Sequence, residues 1–176
     1  MVRLSIRMAT ACDVPAMAHV HVAAVRSLCR THYQAHELSR WISQGPGLYS
    51  ELVQSSTVMV AELDGEVVGF AGASLAHGYV RAVYVAPGAA GSGVGMRLLV
   101  RLERVARVFG LQQLTVDATL NAAGFYERAG YRKRERRTTG LGLGCIRMVK
   151  LLRVANPPAR AGGGGAVDSG PRARLR

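Results

Sequence analysis

The sequence contains few cysteines, few acidic residues and no long apolar run, and each shortage argues against a class of protein. The cysteines, Cys12, Cys29 and Cys145, are three in number and form no CxxC pair, which argues against a disulfide framework and against a zinc site. We expect buried, reduced thiols and no bound metal. No run of about 18 apolar residues is present, and the N-terminus alternates charged with apolar side chains instead of building a signal-peptide core. The sequence therefore predicts a soluble, cytoplasmic protein without a membrane partner.

Acidic residues are outnumbered by basic ones, 11 against 23, which gives a formal net charge of +12. The excess is concentrated in RKRERR, residues 132–137, and in the arginines of the last 21 residues. Such charge attracts any polyanion and does not identify one. Only 6% of the residues are aromatic, and no motif for stacking RNA bases or reading a DNA groove is present. We therefore do not expect nucleic acid as a partner, but a non-catalytic polyanion-binding module stays open as an alternative function.

The chain of 176 residues suits one domain followed by a tail. Residues 155–176 are rich in glycine, proline and arginine, a composition typical of disorder, so the domain is assigned to residues 1–154. Hydrophobic periodicity predicts a strand, two helices and three strands, then helix, strand, helix and two strands. Asp64 and Gly65 predict a hairpin turn between the second and third strands, and YRKRERR is expected to be a strand with one charged face.

The first helix is predicted to begin at a Thr10 or Asp13 cap. Its apolar stripe keeps helical spacing and comprises Val14, Ala18, Val22, Val25 and Cys29. The second helix is predicted over residues 35–43, and a long helix is predicted from Gly93 to Phe109.

A glycine-rich stretch, AAGSGVGMRLL (residues 89–99), runs directly into that long helix. A dinucleotide fingerprint requires a third glycine where Met96 stands, and an ATP phosphate loop requires a lysine and a hydroxyl residue where Val94 and Gly95 stand. Free backbone N–H groups at the start of a helix still bind an anion such as a pyrophosphate. A simple flexible turn is the alternative.

Three segments resemble the GCN5-related N-acetyltransferases. VAPGAAGSGVGMRLL (85–99) is similar to the family's acetyl-CoA motif, in which V-x-P precedes [QR]-x-x-G-x-[GA] and a helix. DATLNAAGFYERAGY (117–131) is similar to its later strand, asparagine and helix, and CIRMVKLL (145–152) to its closing strand. The resemblance covers residues 3–152, and residues 21–41 are similar to the front helices of a bacterial subgroup whose substrates are unassigned.

The resemblance implies a fold and an activity. The expected fold is α+β in three layers, with a mixed, mostly antiparallel sheet of six to seven strands flanked by about four helices. The expected enzyme transfers an acetyl group from acetyl-CoA to a primary amine of a small molecule or peptide, by direct attack in a ternary complex and without a metal. A non-catalytic module that binds coenzyme A, or a polyanion through the basic strip and the tail, stays open as the alternative function, and homodimerisation stays open as well.

The resemblance also implies the site residues. Those assigned to acetyl-CoA are Val83, Tyr84, Val85, Gly91, Ser92, Gly93, Val94, Gly95, Met96 and Asn121. Tyr126 is assigned as the general acid, because a phenol with an ordinary pKa of about 10 can protonate a departing thiolate. A backbone N–H near Tyr84 or Val85 is expected to stabilise the oxyanion.

One residue departs from the family pattern. Ala90 stands where the family has glutamine or arginine, so we expect weaker binding of acetyl-CoA. Arg97, Arg101 or Arg128 is a candidate to restore the missing charge.

The general base and the acceptor site are left open by the sequence. The third strand has no glutamate between Tyr79 and Val85, which leaves Glu37, His36, His77 or a water chain as the base. His32 and His36 have the spacing of two metal ligands but no third ligand follows, so we expect them at the surface or at a pocket rim. Trp41 and Tyr33 line an acceptor pocket or, as lone aromatic pairs more often do, belong to the core.

Overall fold

The structure, a computed structural model, describes residues 3–152, and the predicted tail lies outside the described residues. One seven-stranded sheet forms the middle layer, with the strand order β1-β2-β3-β4-β5-β7-β6. The strands are β1 (Leu4–Met8), β2 (Thr57–Leu63), β3 (Glu66–Ser74), β4 (Tyr79–Val85), β5 (Gln113–Thr119), β6 (Arg132–Thr138) and β7 (Gly144–Leu151). Neighbouring strands are antiparallel except β4 and β5, which are parallel. The predicted mixed, mostly antiparallel sheet is confirmed.

Five helices cover the two faces of the sheet. They are α1 (Val14–Leu28), α2 (Ala35–Ile42), α3 (Gly47–Ser55), α4 (Val94–Val108) and α5 (Ala123–Arg128). Alternate residues of β2 show the layering, because Val58 and Val60 pack with α1 and α3 while Met59 and Ala61 pack with α4. This is the three-layer α+β fold. Within the described residues, none of the helices combines the length and apolar character needed to cross a membrane.

Helix α3 was not predicted. It begins at Gly47, inside the QGPG stretch (44–47) that follows the second predicted helix, and Pro46 occupies its N-cap. Proline is tolerated at a helix start, because the N–H that it lacks has no partner within the helix there. Tyr49 and Leu52 of α3 are buried against the sheet.

The predicted stripe of α1 was partly wrong. Val25 and the following Cys29 are buried, but Val14, Ala18 and Val22 are only half-buried. The residues of α1 that are buried are Met17, Val20, His21, Ala24 and Val25. The helix therefore faces the sheet along a line rotated from the predicted one, because α1 is covered by α2 and α3 as well as by the sheet.

Two further predictions need correction. All seven residues of β6 are exposed, so its basic side chains occupy both faces of the strand and not one. The strand lies at the sheet edge, where charges protect unpaired backbone groups from pairing with another chain. Cys12 is exposed, whereas Cys29 and Cys145 are buried as predicted. Cys12 lies in the short turn between β1 and α1, of which only Asp13 points inward.

A buried ion pair joins the long helix α4 to β7. Glu103 is 2% exposed, and Lys150 donates hydrogen bonds to its two carboxylate oxygens at 2.8 and 2.7 Å. Arg107 contacts the same carboxylate at 3.4 Å. The pair lies away from the groove described below and fixes the packing of α4 on the sheet.

Candidate functional site

The glycine loop connects β4 to α4 and turns twice through the left-handed region. Gly91 has φ +78° and Gly93 has φ +86°, backbone conformations that favour glycine. Gly93 is the N-cap of α4 and makes no side-chain capping bond, so the first N–H groups of the helix have no capping side chain. The hydroxyl of Ser92 donates to the carbonyl of Ala89 at 2.6 Å and holds the loop together.

The third glycine allows α4 to approach the sheet closely. A Cβ on Gly95 would lie 3.3 Å from Cγ2 of Val85 and 3.5 Å from the ring of Phe125. The contact with Val85 is tighter than most Cβ atoms make, and the one with Phe125 is ordinary van der Waals contact, so a larger residue would press on the end of β4.

The loop borders a groove of about 580 Å³, here called the loop groove. Of the predicted residues, its lining includes Val83, Val85, Gly91, Gly93, Gly95, Met96 and Asn121. The other three lie differently: Tyr84 packs on the opposite face of the sheet, Val94 is buried under the loop, and the hydroxyl of Ser92 bonds within the loop. The carboxamide oxygen of Asn121 is buried and has no hydrogen-bond partner among the described residues.

Strands β4 and β5 separate beside this groove. They pair only at Tyr79 with Thr115 and at Val80 with Val116 within the described residues, and a cavity of about 70 Å³, here called the strand gap, opens beyond that point. Because the N–H of Ala86 donates to Val68 on β3 at 2.8 Å and amides alternate along a strand, the N–H of Val85 is directed to the edge that faces the gap.

Tyr126 lies on the wall of the strand gap. Its side chain is buried, at 4% exposure, and packs against Phe125 and Tyr131. Burial raises the pKa of Tyr126 above its ordinary value, so the phenol stays protonated at neutral pH.

Asp117 also borders the gap but is already paired. Arg147 donates to both of its carboxylate oxygens at 2.8 Å, and the hydroxyl of Tyr79 donates at 3.0 Å. The Arg147 guanidinium lowers the pKa of Asp117. This carboxylate therefore anchors β5 to β7 and is not free to act as a base.

A second cavity lies on the opposite side of the strand gap. It has a volume of about 200 Å³ and is lined by residues of α1, α2, α3, β3 and β4; we call it the aromatic pocket. It shares Trp41, Arg81, Ala82 and Tyr84 with the strand gap. The loop groove shares Val83 and Ala122 with the same gap, so the gap lies between the two cavities and adjoins both.

The side chains that the sequence left as candidates for the general base lie away from the strand gap. Glu37 accepts from the backbone N–H of Gln34 at 2.7 Å and caps α2, while His77 bonds to Ser74 at 2.8 Å near the β3–β4 turn. His36 is exposed. His32, predicted at the surface or a rim, is exposed and lines the loop groove.

His21 is the residue that the sequence patterns missed. It follows Met17 and precedes Val25 at helical spacing, so its place between two buried apolar residues was the available signal. The ring is 1% exposed and lines the aromatic pocket. Trp41 lines the same pocket and is also part of the core, whereas Tyr33 is a core residue whose hydroxyl joins Gly144 and Leu120.

The three arginines that are candidates to replace the charge missing at Ala90 lie in two different cavities. Arg128 lines the loop groove. Arg97 and Arg101 line a different cleft, between α4 and β1.

The chain is similar in sequence to known proteins. The family model described as an acetyltransferase (GNAT) domain matches residues 29–152. The chain is 29% identical over 119 residues to the uncharacterized N-acetyltransferase YafP of Escherichia coli K12, covering 68% of this chain and 75% of YafP.

Solved structures share the fold. A GCN5-related N-acetyltransferase from Rhodopseudomonas palustris superposes with a TM-score of 0.80 at 29% identity, covering 84% of this chain and 95% of that one. The PaiA N-acetyltransferase of Thermoplasma acidophilum, solved with coenzyme A, superposes with a TM-score of 0.73 at 19% identity, covering 85% and 99%.

Proposed function

Because the chain belongs to the GNAT family of acetyltransferases, we propose that it transfers an acetyl group from acetyl-CoA to a primary amine within a ternary complex. The observation that carries this proposal is the strand gap, which joins the loop groove on one side to the aromatic pocket on the other. A donor and an acceptor bound in these cavities approach each other through the gap between β4 and β5.

The loop groove suits the acyl donor. Acetyl-CoA supplies the activated thioester when it is bound. The N–H groups of Gly91 and Gly93 and those of the first turn of α4, Val94 to Met96, are suited to its pyrophosphate, whereas the N–H of Ser92 donates to Ala89 at 3.4 Å. The unpartnered oxygen of Asn121 and the β4 edge at Val83 and Val85 are suited to the amides of its arm.

The strand gap suits the acyl transfer. The N–H of Val85 is directed toward the gap and is assigned to the developing oxyanion, since a fixed donor there needs no reorganisation. The neutral amine nitrogen bonds to the acetyl carbon to form a tetrahedral oxyanion, which collapses with cleavage of the carbon–sulfur bond, while the surplus proton on nitrogen passes to water. Tyr126 borders the gap and is assigned to protonate the departing sulfur.

Calorimetry with acetyl-CoA tests the proposal directly. We expect saturable binding, and free thiol should appear when a panel of primary amines is added. Absence of binding at millimolar acetyl-CoA would overturn the proposed function. The cytoplasmic location that the sequence predicts is part of this proposal. Light scattering would measure the oligomeric state.

Arg128 is expected to replace the charge lost at Ala90. Its guanidinium is exposed and borders the loop groove, whereas Arg97 lies on the far side of α4. We expect Arg128→Ala to weaken acetyl-CoA binding about twofold to fivefold, as for one solvent-exposed charge pair, and Arg97→Ala to leave it unchanged. Calorimetry of both variants checks this, and equal affinities for the two would remove Arg128 from the site.

The fully exposed basic strand β6 favours a second candidate function, binding of a polyanion without catalysis. Salt-sensitive retention on heparin, with no binding of acetyl-CoA, would support that function. Retention that is accompanied by acetyl transfer would assign β6 an auxiliary role at most.

A further inference from the structure

The aromatic pocket contains a buried histidine with one unused nitrogen. Nδ1 of His21 shares a hydrogen bond with the hydroxyl of Tyr49. Nε2 is buried and has no partner among the described residues. An unpaired buried polar atom is costly, so this nitrogen is a hydrogen-bonding position for a molecule that enters the pocket.

Aromatic side chains surround this histidine. Ring centroids lie 4.4 Å from His21 to Tyr84, 5.7 Å to Tyr49 and 6.0 Å to Trp41. Phe70 continues the cluster, 5.3 Å from Tyr84. Such walls favour apolar and aromatic groups of a ligand.

Charge at the pocket disfavours a polycation. None of the residues described as lining it is an aspartate or glutamate, and the one ionised side chain among them is the exposed Arg81. Burial lowers the pKa of His21 to about 4, so its ring is uncharged at neutral pH. An amine with several ammonium groups would find no counter-charge here, and burying an unpaired charge is expensive.

The aromatic pocket also has the position and the size needed to hold an amine acceptor. It adjoins the strand gap through Trp41 and Tyr84, and its volume of about 200 Å³ is adequate for the body of a small amine. Exposed Gln44 and Arg81 mark its opening to solvent.

We propose that the acceptor is a monoamine whose apolar, aromatic-sized body fills the aromatic pocket and whose amine nitrogen donates a hydrogen bond to Nε2 of His21. This inference rests on the proposed function, because the amine must meet the acetyl group in the strand gap. His21 is a specificity-determining residue: its hydrogen bond orients the amine toward the gap, while its uncharged ring gives no counter-charge to a second ammonium group.

The test compares phenethylamine, as a monoamine probe, with spermidine, as a polyamine probe. We expect kcat/KM for phenethylamine to exceed that for spermidine by about 100-fold, reflecting the missing counter-charge. His21→Phe keeps a ring in the same space and should lower kcat/KM for phenethylamine about tenfold through a higher KM, with acetyl-CoA affinity unchanged. His19→Phe, two residues away and exposed, is the matched control and should change neither value.

A second variant inserts the missing carboxylate. Leu48 lines the aromatic pocket and belongs to the first turn of α3, where glutamate is well tolerated. Leu48→Glu should shift the preference toward spermidine by at least about tenfold. An unchanged preference in both His21→Phe and Leu48→Glu would overturn the proposal, as would a wild-type preference for spermidine.

Direct binding measurements distinguish a failure of this acceptor assignment from a failure of the proposed function. Calorimetry of phenethylamine with the wild-type protein should show binding that His21→Phe weakens about tenfold. Binding of acetyl-CoA without binding or turnover of phenethylamine would contradict the acceptor assignment alone. Binding of phenethylamine that depends on His21, without binding of acetyl-CoA, would contradict the proposed function and leave the pocket assignment in place.

Discussion

Replacing Tyr126 by phenylalanine is expected to lower kcat about 100-fold, the lower end of what a general acid contributes. Burial raises the pKa of this phenol, which keeps the proton available but makes it a weaker acid than an ordinary tyrosine. Phenylalanine preserves the packing against Phe125 and Tyr131 and removes only the hydroxyl. The measurement is steady-state thiol release at saturating acetyl-CoA.

The control for this variant is Tyr131→Phe. Tyr131 is equally buried and its ring lies 5.3 Å from that of Tyr126, but it does not line the strand gap. Removing the hydroxyl of Tyr131 should leave kcat within a factor of about two, because no proton transfer is assigned to it.

The raised pKa of Tyr126 also predicts that wild-type kcat does not fall through loss of the Tyr126 proton as the pH rises to 9. Full activity in Tyr126→Phe would show that the thiolate takes its proton from another source.

Replacing Lys150 by methionine is expected to lower the free energy of unfolding by about 3 kcal/mol, because it leaves the buried carboxylate of Glu103 without its main partner. Lys150 donates both of its short hydrogen bonds to this carboxylate, and the remaining contact, from Arg107, is longer at 3.4 Å. Denaturant unfolding followed by circular dichroism measures the change.

Two comparisons make that prediction specific. Lys133→Met removes a lysine whose partner, Glu127, is exposed, and surface pairs of this kind contribute about 1 kcal/mol or less. The double variant Glu103→Leu with Lys150→Met removes both charges and should recover most of the lost stability. A loss in Lys150→Met no larger than in Lys133→Met would mean that water reaches Glu103.

The order of strands and helices followed from local patterns. Period-two runs gave the strands, and Asp64 with Gly65 marked the β2–β3 turn. The errors arose where tertiary contacts overrode a local signal. Pro46 and its flanking glycines were not recognised as a helix start, and β6, which lies at the sheet edge, is exposed on both faces and not on one.

The proposed donor site, the loop groove, could be predicted from the sequence because its chemistry lies in consecutive backbone groups. Gly91 and Gly93 adopt left-handed conformations that glycine favours, and the helix start that follows offers N–H groups whatever its side chains are. Seven of the predicted residues line one groove. The same reasoning cannot tell which side chains face that groove, and it grouped Tyr84 and Val94 with the others.

The sequence by itself determined the glycine loop, the alternation of the strands and the family to which the chain belongs. Each of these can be recognised from residues that are close together along the chain. Only the tertiary structure decided that β4 and β5 part beyond Val80, and that His21 of α1 meets Trp41 and Tyr84 beside that gap. Contacts between distant segments depend on how the helices cover the sheet, and the spacing of residues along the chain does not predict them.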